Sequence, residues 1–103
     1  MEMTAKPDLD IRVNELKKAA FVIRAVNHNL RQDIIKLIHK SGTIIVTEIY
    51  KKLDLEQSVA SQHLGILRKA GFVSTERRGK FIYYKINYDR FEEVDDLIQK
   101  ILN

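Results

Sequence analysis

The stretch from Gln57 to Ile86, QSVASQHLGILRKAGFVSTERRGKFIYYKI, leaves the chain little choice of fold. Its first half repeats apolar residues at three- and four-residue steps, the period of a helix. Its second half is rich in the aromatic and β-branched residues that suit strands. Gly71 stops the first pattern, and "RRGK" divides the second, its glycine supplying the positive φ of a hairpin turn. A helix from about Gln57 or Ser58 to Ala70 must therefore run directly into a β-hairpin made of "FVSTE" and "FIYYKI".

The two faces of that helix differ in kind. At 100° per residue, Val59, Ala60, His63, Leu64, Ile66, Leu67 and Ala70 gather on one side, which is the side for packing. Gln57, Ser58, Ser61, Gln62, Gly65, Arg68 and Lys69 gather on the other, which has no large apolar residue and no acid. Short hydrogen-bonding groups near a helix N-terminus suit base edges in the major groove, and cations at the far end suit the flanking phosphates. A mid-helix glycine costs about 1 kcal/mol relative to alanine, so Gly65 is either tolerated or present to let a partner approach the backbone. A polar helix face is more often simply solvated. The hairpin tips the reading toward DNA. Arg77, Arg78 and Lys80 place three cations at its tip, directly after a helix ending in Arg68 and Lys69. A wing of this kind reaches phosphates or the minor groove.

The remaining segments supply the body. Asp8 to Val26 reads as a helix, with Pro7 suited to its start and Leu9, Val13, Leu16, Ala20 and Ile23 in register. A second helix spans about Asn29 to Lys40 and stops at Gly42. "TIIV" is extended, Thr47 caps a short third helix, and Asp54 and Ser58 serve as turn or cap residues. A last helix covers Tyr88 to Leu102, striped by Phe91, Val94, Leu97, Ile98 and Ile101. The expected fold is mainly α (α+β), a winged helix-turn-helix of about five helices with a two-stranded wing. It forms a single domain over 1–103, with terminal helices at 8–26 and 88–102, the helix-turn-helix at 47–70 and the wing at 72–86.

Composition narrows the function. The absence of cysteine removes disulfides, thiolate metal sites and thiol chemistry together. No apolar run approaches the roughly 20 residues of a membrane span, and the start lacks a signal core, so a cytoplasmic protein is expected. Net charge is +4, and its placement matters more than its size. Arg68 to Lys80 holds five cations against one acid, whereas Asp89 to Asp96 holds five acids against one cation. That asymmetry suits one-sided contact with double-stranded DNA. There is no phosphate loop, nucleophile elbow or zinc-protease motif, so no enzyme is expected. The competing reading is a winged-helix module that docks proteins without specific DNA binding.

The segment Ser58 to Ile86 resembles the recognition helix and wing of ArsR-type winged-helix transcriptional repressors. Ser58, Ser61, His63, Leu64, Leu67, Ala70, Gly71 and Val73 match that pattern as they stand, Phe72 replaces its usual leucine, and Tyr83 or Tyr84 fills the closing aromatic position. The resemblance extends more loosely over Asn27 to Tyr88, with Arg31 in the family's arginine position and Asn29 where proline is frequent. It implies a homodimer joined through the first and last helices, and so an interface containing Leu9, Val13, Leu16, Val94, Leu97, Ile98 and Ile101. A two-fold dimer sets recognition helices about 34–36 Å apart and implies an inverted-repeat operator. The family's metal sensors use cysteines before the recognition helix or histidines on the last helix, and this chain has neither there. His28, His39 and His63 lie far apart in sequence, and His63 sits on the packing side of its helix. No metal, no cofactor and an unknown effector are therefore expected, with any small-molecule or protein effector held at the dimer interface.

Overall fold

The computed structural model describes residues 8–102, and the side chain of Ile101 lies outside the described part, as does Pro7. The elements in order are α1 (Leu9–Val26), α2 (Asn29–Ser41), β1 (Thr43–Ile45), α3 (Val46–Lys52), α4 (Gln57–Lys69), β2 (Val73–Arg78), β3 (Phe81–Ile86) and α5 (Tyr88–Leu102). Asp8 caps α1 by accepting from the backbone N–H groups of Asp10 and Ile11. His28 does the same for α2, its Nδ1 accepting from Leu30 N–H at 3.1 Å.

Ile34, Ile38, Ile49, Leu64, Leu67 and Phe72 are fully buried and form the centre of the core, and Phe91 packs against Phe72 with ring centroids 4.7 Å apart and the rings tilted by 51°. The core thus ties α2, α3, α4 and α5 to the start of the hairpin. The short connection of residues 53–56 turns α3 into α4 at Asp54, whose φ of 53° is a left-handed value that aspartate tolerates.

Two expectations change. The extended segment before α3 is a paired strand. Thr43, Ile44 and Ile45 face Lys85, Tyr84 and Tyr83, making a three-stranded antiparallel sheet of order β1-β3-β2. Helix α3 begins at Val46 with Ile45 in the cap position and no side-chain cap, so Thr47 lies inside the first turn.

Helix α1 stands partly clear of the body. Every residue from Asp8 to Lys18 is exposed, and only Val22 and Ala25 are buried. The radius of gyration is 17.0 Å, against about 13 Å for a compact chain of this length. Leu9, Val13 and Leu16 are 69%, 46% and 63% exposed, in one stripe on the side of α1 turned away from Val22 and Ala25. Among the dimer candidates Val94 is placed differently. It is 7% exposed and belongs to the core of the single chain, while Leu97 and Ile98 are half-buried.

Candidate nucleic-acid interface

Helix α4 divides as its period requires. Ala60, Leu64, Leu67 and Ala70 are buried, and Val59, His63 and Ile66 are half-buried. Gln57, Ser58, Ser61, Gln62, Gly65, Arg68 and Lys69 are all exposed. The cap position is Glu56, which makes no side-chain cap bond, and neither Asp54 nor Ser58 fills that role. Among the described residues, the first-turn N–H groups of α4 are therefore left for an outside acceptor, and the helix dipole favours an anionic one.

The opposite end of α4 is held firmly. Arg90 of α5 donates from Nε to Ala70 O at 2.9 Å, and Asn87 donates from Nδ2 to Gly71 O at 3.0 Å. On the inner face, Arg31 donates from Nη1 to His63 Nδ1 at 3.2 Å and from Nε to Ala25 O at 2.6 Å. One arginine thus ties α4 to the C-terminal carbonyls of α1. Because arginine only donates, His63 Nδ1 must be the acceptor and the ring neutral. Burial first, then the proximity of His28 and Arg31, holds the His63 pKa below its ordinary value. The His28 and His63 rings lie 4.9 Å apart, a proximity that their sequence separation conceals. Among the described residues, no three His, Cys, Asp or Glu side chains converge to hold a metal ion.

The hairpin tip is tighter than "RRGK" suggests. Arg77 and Arg78 are still in β2, with Arg78 opposite Phe81, so only Gly79 and Lys80 turn the chain. Gly79 has φ +62° and Lys80 does not share the positive φ, the pattern of a type II′ turn with glycine first. Directly opposed residues share a face, so Arg77 and Ile82 continue the face that carries Val73, Thr75, Tyr84 and Ile86. Arg78 lies on the other face with Glu76, Tyr83 and Phe81. There its Nε donates to Glu76 Oε2 at 2.8 Å, and its guanidinium stands 4.6 Å from the Tyr83 ring centroid. That hydrogen bond lowers the Glu76 pKa. Among the described residues Arg77 bonds only a neutral carbonyl, Gly79 O at 3.1 Å, and no acid pairs with its charge. Lys69 also turns inward along the surface, with Nζ 5.9 Å from the Phe21 ring centroid of α1.

A polar, acid-free helix face beside a basic wing is the arrangement of a DNA-reading winged helix. Residues 29–75 match the model of the bacterial regulatory proteins of the arsR family. An HTH-type transcriptional regulator of Methanocaldococcus jannaschii is 33% identical over 89 residues, covering 86% of this chain and 100% of that one. The chain belongs to the ArsR family.

This ArsR-family chain is also similar over nearly its whole length to the transcriptional repressor PagR of Bacillus anthracis, at 32% identity over 99 residues, 96% of this chain and 99% of that one. The PagR crystal structure aligns with a TM-score of 0.65 and 33% identity, over 88% of this chain and 99% of that one. The homodimeric winged helix-turn-helix DNA-binding domain from Mycobacterium bovis, solved by NMR, aligns with a TM-score of 0.73 and 26% identity, over 97% of this chain and 90% of that one. The match to the ArsR model ends inside β2, so the wing tip and α5, with all five acids of the Asp89–Asp96 segment, lie beyond it.

Proposed function

We propose that this ArsR-family regulator is a cytoplasmic homodimeric repressor that reads an inverted-repeat operator with α4 and grips it with the wing. The supporting observation is the exposed, acid-free face of α4 continuing toward a wing tip with uncompensated charge. Gln57, Ser58, Ser61 and Gln62 meet base edges or adjacent phosphates, assisted by the uncapped first turn of α4. Arg68, Arg77 and Lys80 hold the backbone. Of the other nominated cations, Lys69 stands 5.9 Å over Phe21 much as Lys80 stands 5.5 Å over Phe81, and Arg78 alone among the described residues of this set is paired with an acid, Glu76, besides standing over Tyr83.

The exposed stripe Leu9, Val13 and Leu16 is the two-fold contact, with Leu97 and Ile98 alongside. Pairing there covers apolar area that α1 cannot bury within one chain. The deciding experiment is fluorescence anisotropy with duplexes from upstream of the protein's own gene, across a salt series. Tight binding to a duplex with an inverted repeat, one helical turn between half-site centres, is expected, with affinity falling steeply as salt rises. An absence of salt-dependent binding at low ionic strength would overturn the proposal.

A further inference from the structure

A second surface collects charge without belonging to the reading face. Between α1, the last turn of α4 and the start of α5 lies a groove of about 420 Å³, lined by Lys17, Lys18, Phe21, Val22, Lys69 and Arg90. That volume falls within the range of about 300–1,000 Å³ typical of small-molecule sites. Its floor is apolar, made by half-buried Phe21 and buried Val22. Its walls carry four cations and no acid. Arg90 is already partly satisfied by Ala70 O and by Glu93 at 3.6 Å. Among the described residues, no ion pair involves Lys17, Lys18 or Lys69. Lys69 is aimed at this groove, its ammonium standing over Phe21. By helical period Lys17 stands one turn from Val13 at the edge of the exposed apolar stripe, while Phe21, Lys18 and Val22 turn progressively away from Leu9 and Leu16, so the groove borders the stripe without being part of it.

We propose that this groove binds a small organic anion with an apolar body, such as an alkyl or aryl carboxylate, its charge held by Lys17, Lys18 and Lys69 and its body laid on Phe21 and Val22. Charge complementarity selects the anion, and the concave apolar floor selects a body that an inorganic ion lacks. DNA phosphate contact does not require such a floor. The inference is independent of the operator reading, and its test uses no DNA.

The test is an NMR titration of the full chain with octanoate, 1-octanol and inorganic sulfate. Octanoate is expected to shift the amides of Lys17, Phe21 and Lys69 saturably and to bind about tenfold or more tightly than either control. Lys17→Gln with Lys69→Gln should weaken octanoate by about tenfold and leave the weak octanol affinity unchanged, with the circular dichroism spectrum of the wild type. Phe21→Leu should weaken octanoate while leaving the sulfate response alone. Equal binding of octanol would reduce the groove to an apolar patch, and equal binding of sulfate would reduce it to a basic one. Either outcome, an absence of saturable octanoate binding, or shifts confined to Leu9, Val13 and Leu16, overturns the proposal.

Discussion

At the scale of single residues, two arginines one position apart have different surroundings. Strand alternation sends Arg78 to the face where Glu76 and Tyr83 wait, and sends Arg77 to the other. A phosphate approaching Arg78 also approaches a carboxylate. Arg77→Ala should therefore weaken binding on every sequence and flatten the slope of log affinity against log salt by about one unit, while Arg78→Ala should change it little. Glu76→Gln should release Arg78 and steepen the slope. Anisotropy at three or more salt concentrations measures all three, and equal slopes for the two arginine variants would contradict this division. His63 gives a pH signature. Its folded pKa lies below its ordinary value of 6.5, so the unfolded chain takes up a proton that the folded chain refuses. The stabilisation from neutral His63 is fully present above about pH 6.5 and is lost as pH falls from there toward the folded value. Urea midpoints of the wild type should drop faster between about pH 7 and pH 5 than those of His63→Gln, which keeps an acceptor for Arg31 without titrating. Parallel profiles would show that His63 does not carry this dependence.

At the scale of elements, what could be read in advance was what a single helix or hairpin decides for itself. Every residue assigned to the outer face of α4 is exposed, because a 13-residue helix with one apolar stripe has one way to lie on a core. What could not be read depends on partners distant in sequence. Thr43–Ile45 is too short to declare a strand, and only the third strand, some 40 residues on, makes it one. The inward turn of Lys69 toward Phe21 and the Arg31–His63 bond belong to the same class. Gly65 is the sharpest test at this level. A Cβ there would meet nothing within 4 Å, so the chain itself has no need of glycine. Gly65→Ala should stabilise the fold by about 0.5–1 kcal/mol in denaturant titration. If close approach of DNA is why the position is bare, the same substitution should also lower operator affinity several-fold. Higher stability with unchanged affinity would reduce Gly65 to a tolerated residue.

At the scale of the whole molecule, α1 is the unfinished part. A stripe with Leu9 and Leu16 more than 60% exposed, on the half of α1 that the described residues leave largely uncovered, is the mark of a surface completed by a second copy. Leu16→Asp should yield monomers in sedimentation velocity. It should cost operator affinity by about a hundredfold or more while leaving half-site binding nearly intact, because the second contact is no longer intramolecular. A dimeric Leu16→Asp protein would move the interface elsewhere. The sheet, by contrast, is complete within one chain. With β1 on one edge of β3 and β2 on the other, the strand that returns from the wing tip is hydrogen-bonded on both sides to the lead-in of α3 and the exit from α4. Reading helix and wing are therefore set at a fixed angle before any DNA arrives. Little of the reading helix and wing is left to freeze on contact, so the heat-capacity change of association should reflect the contact area alone, without the larger negative value of a protein that folds as it binds.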